Sequence, residues 1–198
     1  MILTGNKIIE EVESGKIEIT PFDKSRITTN SYDLSLGETI IRYKAEIIDP
    51  KVETSYEEIK IPSDGMVLNP GDFVLGHSNE RIGSDFYVPM IHGKSGTARM
   101  GLFVHVTADL IDIGSHGVTT FQLYATLPVR LHVGMLISQV SFWVPFGDIV
   151  LYKGKYQNST GPKPSMTYKD FKYDIFKKDC LIHFFVFYIA YLTSSFNR

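Results

Sequence analysis

Short runs of β-branched and aromatic residues recur from Lys16 to Val150: IEIT, YDLSL, TIIRY, FVLGH, GLFVHV, VTTFQLY and LISQVSFWV, separated by Gly, Pro, Asn and Asp. Brief alternating runs bounded by turn residues predict strands. One stretch departs from this pattern. Between Thr4 and Gly15 the apolar residues Ile8, Ile9 and Val12 fall at helical spacing, with Thr4 placed to cap and Gly15 to stop the helix. The prediction is a mostly-β domain with one short N-terminal helix. Many short strands without βαβ alternation favour a barrel or jelly roll over a parallel sheet.

The pattern changes twice near the end. Residues Tyr152–Lys172, YKGKYQNSTGPKPSMTYKDFK, are polar and rich in Gly, Pro, Lys and Ser, and read as a mobile tail or flap able to close over a ligand. From Cys180 to Leu192 the sequence CLIHFFVFYIAYL is apolar over 13 residues. A membrane span needs roughly 20, so none is expected. Packing on the core or on a neighbouring subunit, a weak membrane anchor, and an extension with no chemical role all remain open. The domain is placed at 1–172, with a flap at about 152–172 and an apolar extension at 173–198.

At 198 residues the chain has room for one domain with a real core. Twenty Lys and Arg against 22 Asp and Glu give a net charge of -2, which offers nothing to attract DNA or RNA. A small anion needs only a local cluster. Cys180 is the only cysteine, so neither an internal disulfide nor a cysteine-based zinc site is available. A reducing, cytoplasmic setting is expected, and residues 1–20 contain no secretory apolar run.

Candidate chemistry concentrates between His92 and Tyr124. Lys94-Ser95-Gly96-Thr97-Ala98-Arg99 sets two cations around small residues, so hydroxyls and backbone N–H groups could meet an oxyanion such as phosphate between them. A surface turn is the competing reading of this hexapeptide. The runs Leu102–Val106 and Val118–Tyr124 read as strands flanking a turn-rich centre, an arrangement able to hold a flat base between backbone groups. Asp112 then lies near a sugar or reacting water, or else caps a turn. His105, within a strand, reads as a buried hydrogen-bonded side chain, and His116 as solvent-facing.

These residues resemble a known family. KSGTARMGLFVHVTADLID, the glycine of SHG and VTTFQLY are similar to the central motif of the dCTP deaminase branch of the dUTPase superfamily. MILTGNKII, NSYDLSLG, LNPGDFVLG, GMLISQVSF and YKGKYQNSTGP match at the right distances, so the resemblance covers about residues 1–172. It implies a distorted jelly-roll barrel and a homotrimer with active sites at subunit interfaces closed by a C-terminal segment. It also implies a pyrimidine deoxynucleoside triphosphate, dCTP or dUTP, carried with magnesium rather than through direct protein ligands, and dTTP as a regulator to consider. Members deaminate dCTP to dUTP, some continue to dUMP, and the sister dUTPases perform only the second step.

By the same resemblance, Lys94 stands where the family has an arginine, and Ser95, Gly96 and Arg99 match its serine, the following glycine and its second arginine. Val106, Thr107 and Ala108 match backbone that meets the base, Asp112 the aspartate at the sugar 3'-hydroxyl, and Gln139, Tyr152 and Lys155 further ligand-binding positions. Ser159 stands where many members have a ligand-binding glutamine. Counted from Gly117, the position of the catalytic glutamate is Gln122.

That substitution decides the expected activity. Zinc-dependent base deaminases need a His/Cys/Cys set this sequence lacks. Deamination without zinc requires a carboxyl group to take a proton from water and return one toward ammonia. A glutamine amide hydrogen-bonds but has no useful basicity. Ser95, Arg99 and Asp112 remain as parts for triphosphate hydrolysis; the resemblance to the sister dUTPases implies Asp112 as water-orienting group, and Asp109 is a substitute base to test. The alternatives are therefore a dCTP deaminase, a dUTP diphosphatase, and a non-catalytic pyrimidine nucleotide-binding module.

Overall fold

The computed structural model describes residues 1–105 and 107–171. In chain order they form α1 (Gly5–Glu13), β1 (Glu18–Thr20), a 3-10 turn at Lys24–Arg26, β2 (Tyr32–Ser35), β3 (Thr39–Tyr43), β4 (Tyr56–Lys60), β5 (Met66–Leu68), β6 (Phe73–Gly83) and β7 (Val88–Gly93). Then follow α2 (Ser95–Arg99), β8 (Leu102–Val104), β9 (His116–Ala125), β10 (Val129–Leu131) and β11 (Leu136–Trp143). The mostly-β fold with a short N-terminal helix is the predicted one. Thr4 is the N-cap in position, yet its side chain caps nothing.

One sheet runs β4-β3-β6-β9-β8 with β1 added on β6, a second runs β2-β11-β7, and β5 pairs with β10. All pairings are antiparallel. Alternation selects the inner faces: Phe121, Leu123 and Ala125 of β9 are buried together with Leu34, Ile91, Val140 and Phe142 of the smaller sheet. Burying the Phe, Leu, Ile and Val side chains among them contributes roughly 1.5–3 kcal/mol each.

β6 is irregular, its register with β9 shifting between His77 and Arg81. The shift coincides with Glu80, which is fully buried. Its carboxylate accepts from the Ser35 amide at 2.9 Å and hydroxyl at 2.6 Å, and forms an ion pair with Arg26. The Ser78 hydroxyl accepts from Thr119 N–H at 2.8 Å, supplying a partner near the irregularity.

The chain forms two compact units. The first comprises Met1–Lys44 and Tyr56–Pro164 and contains every strand among the described residues; the second takes Ala45–Ser55 and the chain after Pro164, described to residue 171. In the second, the Lys51 ammonium lies 5.8 Å from the centroid of the Phe171 ring. The extension placed at 173–198 lies outside the described residues.

Candidate active site

The cationic hexapeptide folds as the short helix α2, with Lys94 as N-cap. Five residues are too few to show helical periodicity, which is why the sequence suggested only a turn. Lys94 is held from two sides. Its amide donates to the Ile137 carbonyl at 3.1 Å, and its ammonium pairs with Asp33 of β2. The Asp33 side chain is 10% exposed, and Oδ1 is buried without a hydrogen-bond partner.

Gln139 lies opposite both Asp33 and His92 in register, and cross-strand partners share a face. His92 Nε2 shares a 2.8 Å hydrogen bond with the Ser141 hydroxyl, which accepts from the Trp143 indole at 3.0 Å. A polar face therefore runs across β2-β11-β7 up to Lys94. Ser95, Gly96 and Arg99 are exposed, and Arg99 donates to the Ser95 carbonyl at 3.1 Å. A Cβ at Gly96 would meet nothing within 4 Å, so packing within the chain does not require glycine there. Sequence reasoning missed Asp33; the signal was one acidic residue amid the apolar side chains of the YDLSL run.

The second group lies on β9 and the segment before it. β8 pairs with β9 as far as Val104 and Leu123. The chain then crosses to β7, where Ile91 N–H donates to Asp109 O at 2.8 Å and Ile111 N–H to Pro89 O at 3.0 Å. Thr107 and Ala108 are exposed on this crossing, and Val106 lies outside the described residues. The Asp112 turn closes through the backbone, with Ser115 N–H donating to Asp112 O at 3.0 Å. The carboxylate is exposed and makes no hydrogen bond or ion pair among the described residues. It does not cap the turn.

Gln122 lies opposite Leu75 on β6, between the buried Phe121 and Leu123, and its Oε1 is buried without a partner. His105 has a φ of 60° and stands its ring edge-on to Phe121 at 6.2 Å. Burial pushes its pKa down to about 4 against the opposing effects of the Asp109 charge and an Ala108 backbone hydrogen bond, so the ring is neutral near pH 7. Its Nδ1 is also buried without a partner, while the residue as a whole is only half-buried, so the predicted burial is partial and one ring nitrogen is unsatisfied.

The expectation for His116 is corrected. The ring is 25% exposed and bridges two carboxylates, with Nδ1 at 2.6 Å from Glu18 and Nε2 at 3.0 Å from Asp85. Burial pulls its pKa down, but the hydrogen bonds and charges of Asp85 and Glu18 prevail and leave it raised.

The polar tail lies along this part of β9. Tyr152 N–H donates to Ile113 O at 2.8 Å, Asn158 N–H to His116 O at 2.8 Å, and Val118 N–H to Ser159 O at 2.9 Å. The Gln157 side chain closes both ways, accepting from His116 N–H at 2.8 Å and donating to Gly114 O at 2.6 Å. Gly117 permits the approach: a Cβ there would stand 2.7 Å from Ser159 N. The tail brings Tyr152 and Ser159 to the Asp112–Val118 segment. The Ser159 hydroxyl donates to Tyr156 O at 2.8 Å, and the Tyr152 hydroxyl accepts from Tyr156 N–H at 3.2 Å. The Lys155 ammonium lies 5.8 Å from the Tyr156 ring centroid.

The predicted residues thus form two groups, one around Lys94 and Gln139, the other around Asp112, Gln122 and the tail. Among the described residues no hydrogen bond or ion pair joins Lys94, Ser95 or Arg99 to Asp112 or Gln122. A cleft of about 350 Å³ lies elsewhere, against Lys60, His77 and tail residues Thr160–Lys163, and none of the predicted residues lines it.

This is a mostly-β domain in which a cationic turn and a strand-and-tail surface carry the polar chemistry. The family model described as dCTP deaminase-like matches residues 2–144. A protein of Clostridium beijerinckii named "dCTP deaminase, dUMP-forming" is 42% identical over 173 residues, covering 87% of this chain and 99% of that protein. One of the same name from Leptospira biflexa is 39% identical, with the same coverage. The chain belongs to the dCTP deaminase-like family. The crystal structure of a 2'-deoxycytidine 5'-triphosphate deaminase from Agrobacterium tumefaciens shares the fold, with a TM-score of 0.58 at 22% identity over 73% of this chain and 48% of that one.

Proposed function

We propose that this protein is an enzyme that binds a pyrimidine deoxynucleoside triphosphate with magnesium at a site shared between subunits, and hydrolyses dUTP to dUMP and pyrophosphate with little deamination of dCTP. The observation that carries this reading is Gln122. Its relatives are named as deaminases that form dUMP, and the resemblance puts the deaminating glutamate at this position. Gln122 instead offers a buried amide oxygen without a partner, which can accept a hydrogen bond but cannot take the proton of an attacking water.

The parts for triphosphate cleavage make a different demand. A charged phosphate chain needs cations, and the attacking water needs an acceptor to orient it. The half-buried Lys94 at the N-cap of α2, the exposed Arg99 in its last turn and the unengaged Asp112 carboxylate suit an anion that brings its own metal. Magnesium, when bound with the triphosphate, would neutralise charge on the phosphate oxygens. Lys94 and Arg99 would hold the remaining charge, and Asp112 would align water on the α-phosphate. An ammonium has three donors, so Lys94 can keep Asp33 while donating to phosphate. The tail residues Tyr152, Lys155 and Ser159 would close the site, and dTTP would compete there as a regulator.

The test is an assay of dCTP and dUTP with magnesium, separating dUTP, dUMP, pyrophosphate and ammonia. The wild type should release pyrophosphate from dUTP and lose this on Asp112→Asn. Gln122→Glu should raise ammonia release from dCTP by ~10²- to 10⁴-fold, the usual worth of general acid–base catalysis. Ordinary deaminase turnover in the wild type, abolished by Asp109→Asn, would assign the base to Asp109 and overturn the reading of Gln122.

A further inference from the structure

His116 holds two carboxylates from two other segments at once. Glu18 is on β1 and Asp85 lies in the connection from β6 to β7, and each faces a different ring nitrogen, at 2.6 Å and 3.0 Å. A neutral imidazole has one N–H and one lone pair; only the imidazolium donates at both nitrogens. Satisfying both contacts therefore requires the charged ring. Gly83, opposite His116 in register, leaves the space for it, since a Cβ there would stand 2.4 Å from Nδ1.

The same residue carries the tail on its backbone. Its N–H donates to the Gln157 side chain and its carbonyl accepts from Asn158 N–H, while the next two residues meet Ser159. A second tie comes through the same carboxylate: Arg81 Nε donates to Glu18 at 2.6 Å, and Arg81 Nη2 donates to Asn158 Oδ1 at 2.8 Å. The charged groups facing His116 are thus Glu18 and Asp85, with Arg81 set against Glu18, and the tail faces it with the neutral amides of Gln157 and Asn158.

We propose that His116 is a positioning residue, a protonated clasp whose two ion pairs fix the Gly114–Val118 segment and thereby dock the tail against β9, so that docking weakens as the imidazolium loses its proton. The sign follows from its raised pKa. The contribution is fully present below the ordinary histidine value of ~6.5 and is lost as pH rises through the higher value in the folded protein. Where Tyr152, Lys155 and Ser159 close over a nucleotide, a consequence that rests on the function proposed above, affinity falls over the same window.

The experiment follows the His116 ring by NMR in the unliganded full chain, together with hydrogen-exchange protection of the Val118 and Asn158 amides, corrected for intrinsic rates, and KM for dUTP, all against pH. The ring should titrate above the ordinary value. Protection should fall across that titration by about tenfold for each pH unit separating the measured pKa from 6.5, and KM should rise with it while kcat holds. His116→Gln should remove the pH step and leave protection and KM at the wild-type high-pH level. Asp85→Asn retains the ring and one partner, so it should shift both the titration and the protection midpoint downward together.

A ring titrating at or below the ordinary value, or a protection step that survives in His116→Gln, overturns the proposal. Protection that tracks the ring while KM stays flat supports the clasp and instead removes the tail from the nucleotide site.

Discussion

Lys94 and Asp33 form a pair whose two sides are unequally buried. The Asp33 side chain is nine-tenths buried, whereas that of Lys94 is 28% exposed, so removing the lysine leaves a buried carboxylate without its counter-charge. Lys94→Met should cost roughly 2–4 kcal/mol in denaturant unfolding, toward the lower part of the usual range for a broken buried pair. Adding Asp33→Asn should recover most of that stability while nucleotide affinity stays lost, which separates the structural from the binding role. His105 carries a second expectation. Its pKa is lowered to about 4 by burial, so its stabilising neutral form is fully available above pH ~6.5 and is lost as pH falls toward 4. The wild type should lose roughly 2–3 kcal/mol between pH 7 and pH 4 through this group, and His105→Asn should lose correspondingly less over that interval.

At the scale of elements, strands with strong alternation were legible and those governed by neighbours were not. VTTFQLY is β9 because Phe121 and Leu123 both turn inward. β4, YEEIK, has one half-buried aliphatic residue, Ile59, and owes its strand form to its pairing with β3. β7 contains Pro89, which ordinarily argues against a strand. It is kept by β11 on one side and the 109–111 crossing on the other. The hexapeptide's two cations and small residues were readable while its helix was not, and His116 looked solvent-facing because its carboxylate partners lie 98 and 31 residues away. Tail docking was equally non-local, yet it left a mark at Gly117, whose φ is 154° and whose missing Cβ makes room for Ser159. Gly117→Ala should weaken docking of residues 152–163 by roughly 1–3 kcal/mol through clash and strain. Faster exchange at Val118 and Asn158, with the buried amides of β9 beyond Phe121 unchanged, would report it.

On the function proposed above, the molecule as a whole leaves apolar surface and two separate site groups for the same remedy. Phe73, Tyr124 and Phe103 form one cross-strand row on β6, β9 and β8, and each is 40–46% exposed. Phe146 and Val150 are exposed as well. Patches of this kind mark interfaces, and copies related by rotation could bring the Lys94 group of one chain to the Asp112 group of the next. The expected particle is a trimer by sedimentation equilibrium. Tyr124→Arg should disperse it toward monomer and remove dUTP hydrolysis, although it changes none of the cations or carboxylates assigned to the site. Mixing gives the sharper test. Lys94→Met and Asp112→Asn subunits, each inactive alone, should recover about one quarter of wild-type sites when co-refolded, because a quarter of randomly formed interfaces join an intact lysine group to an intact aspartate. A site contained within each chain would recover nothing on mixing. Recovery without a change in particle size would show that the two groups meet across the interface rather than through a larger assembly.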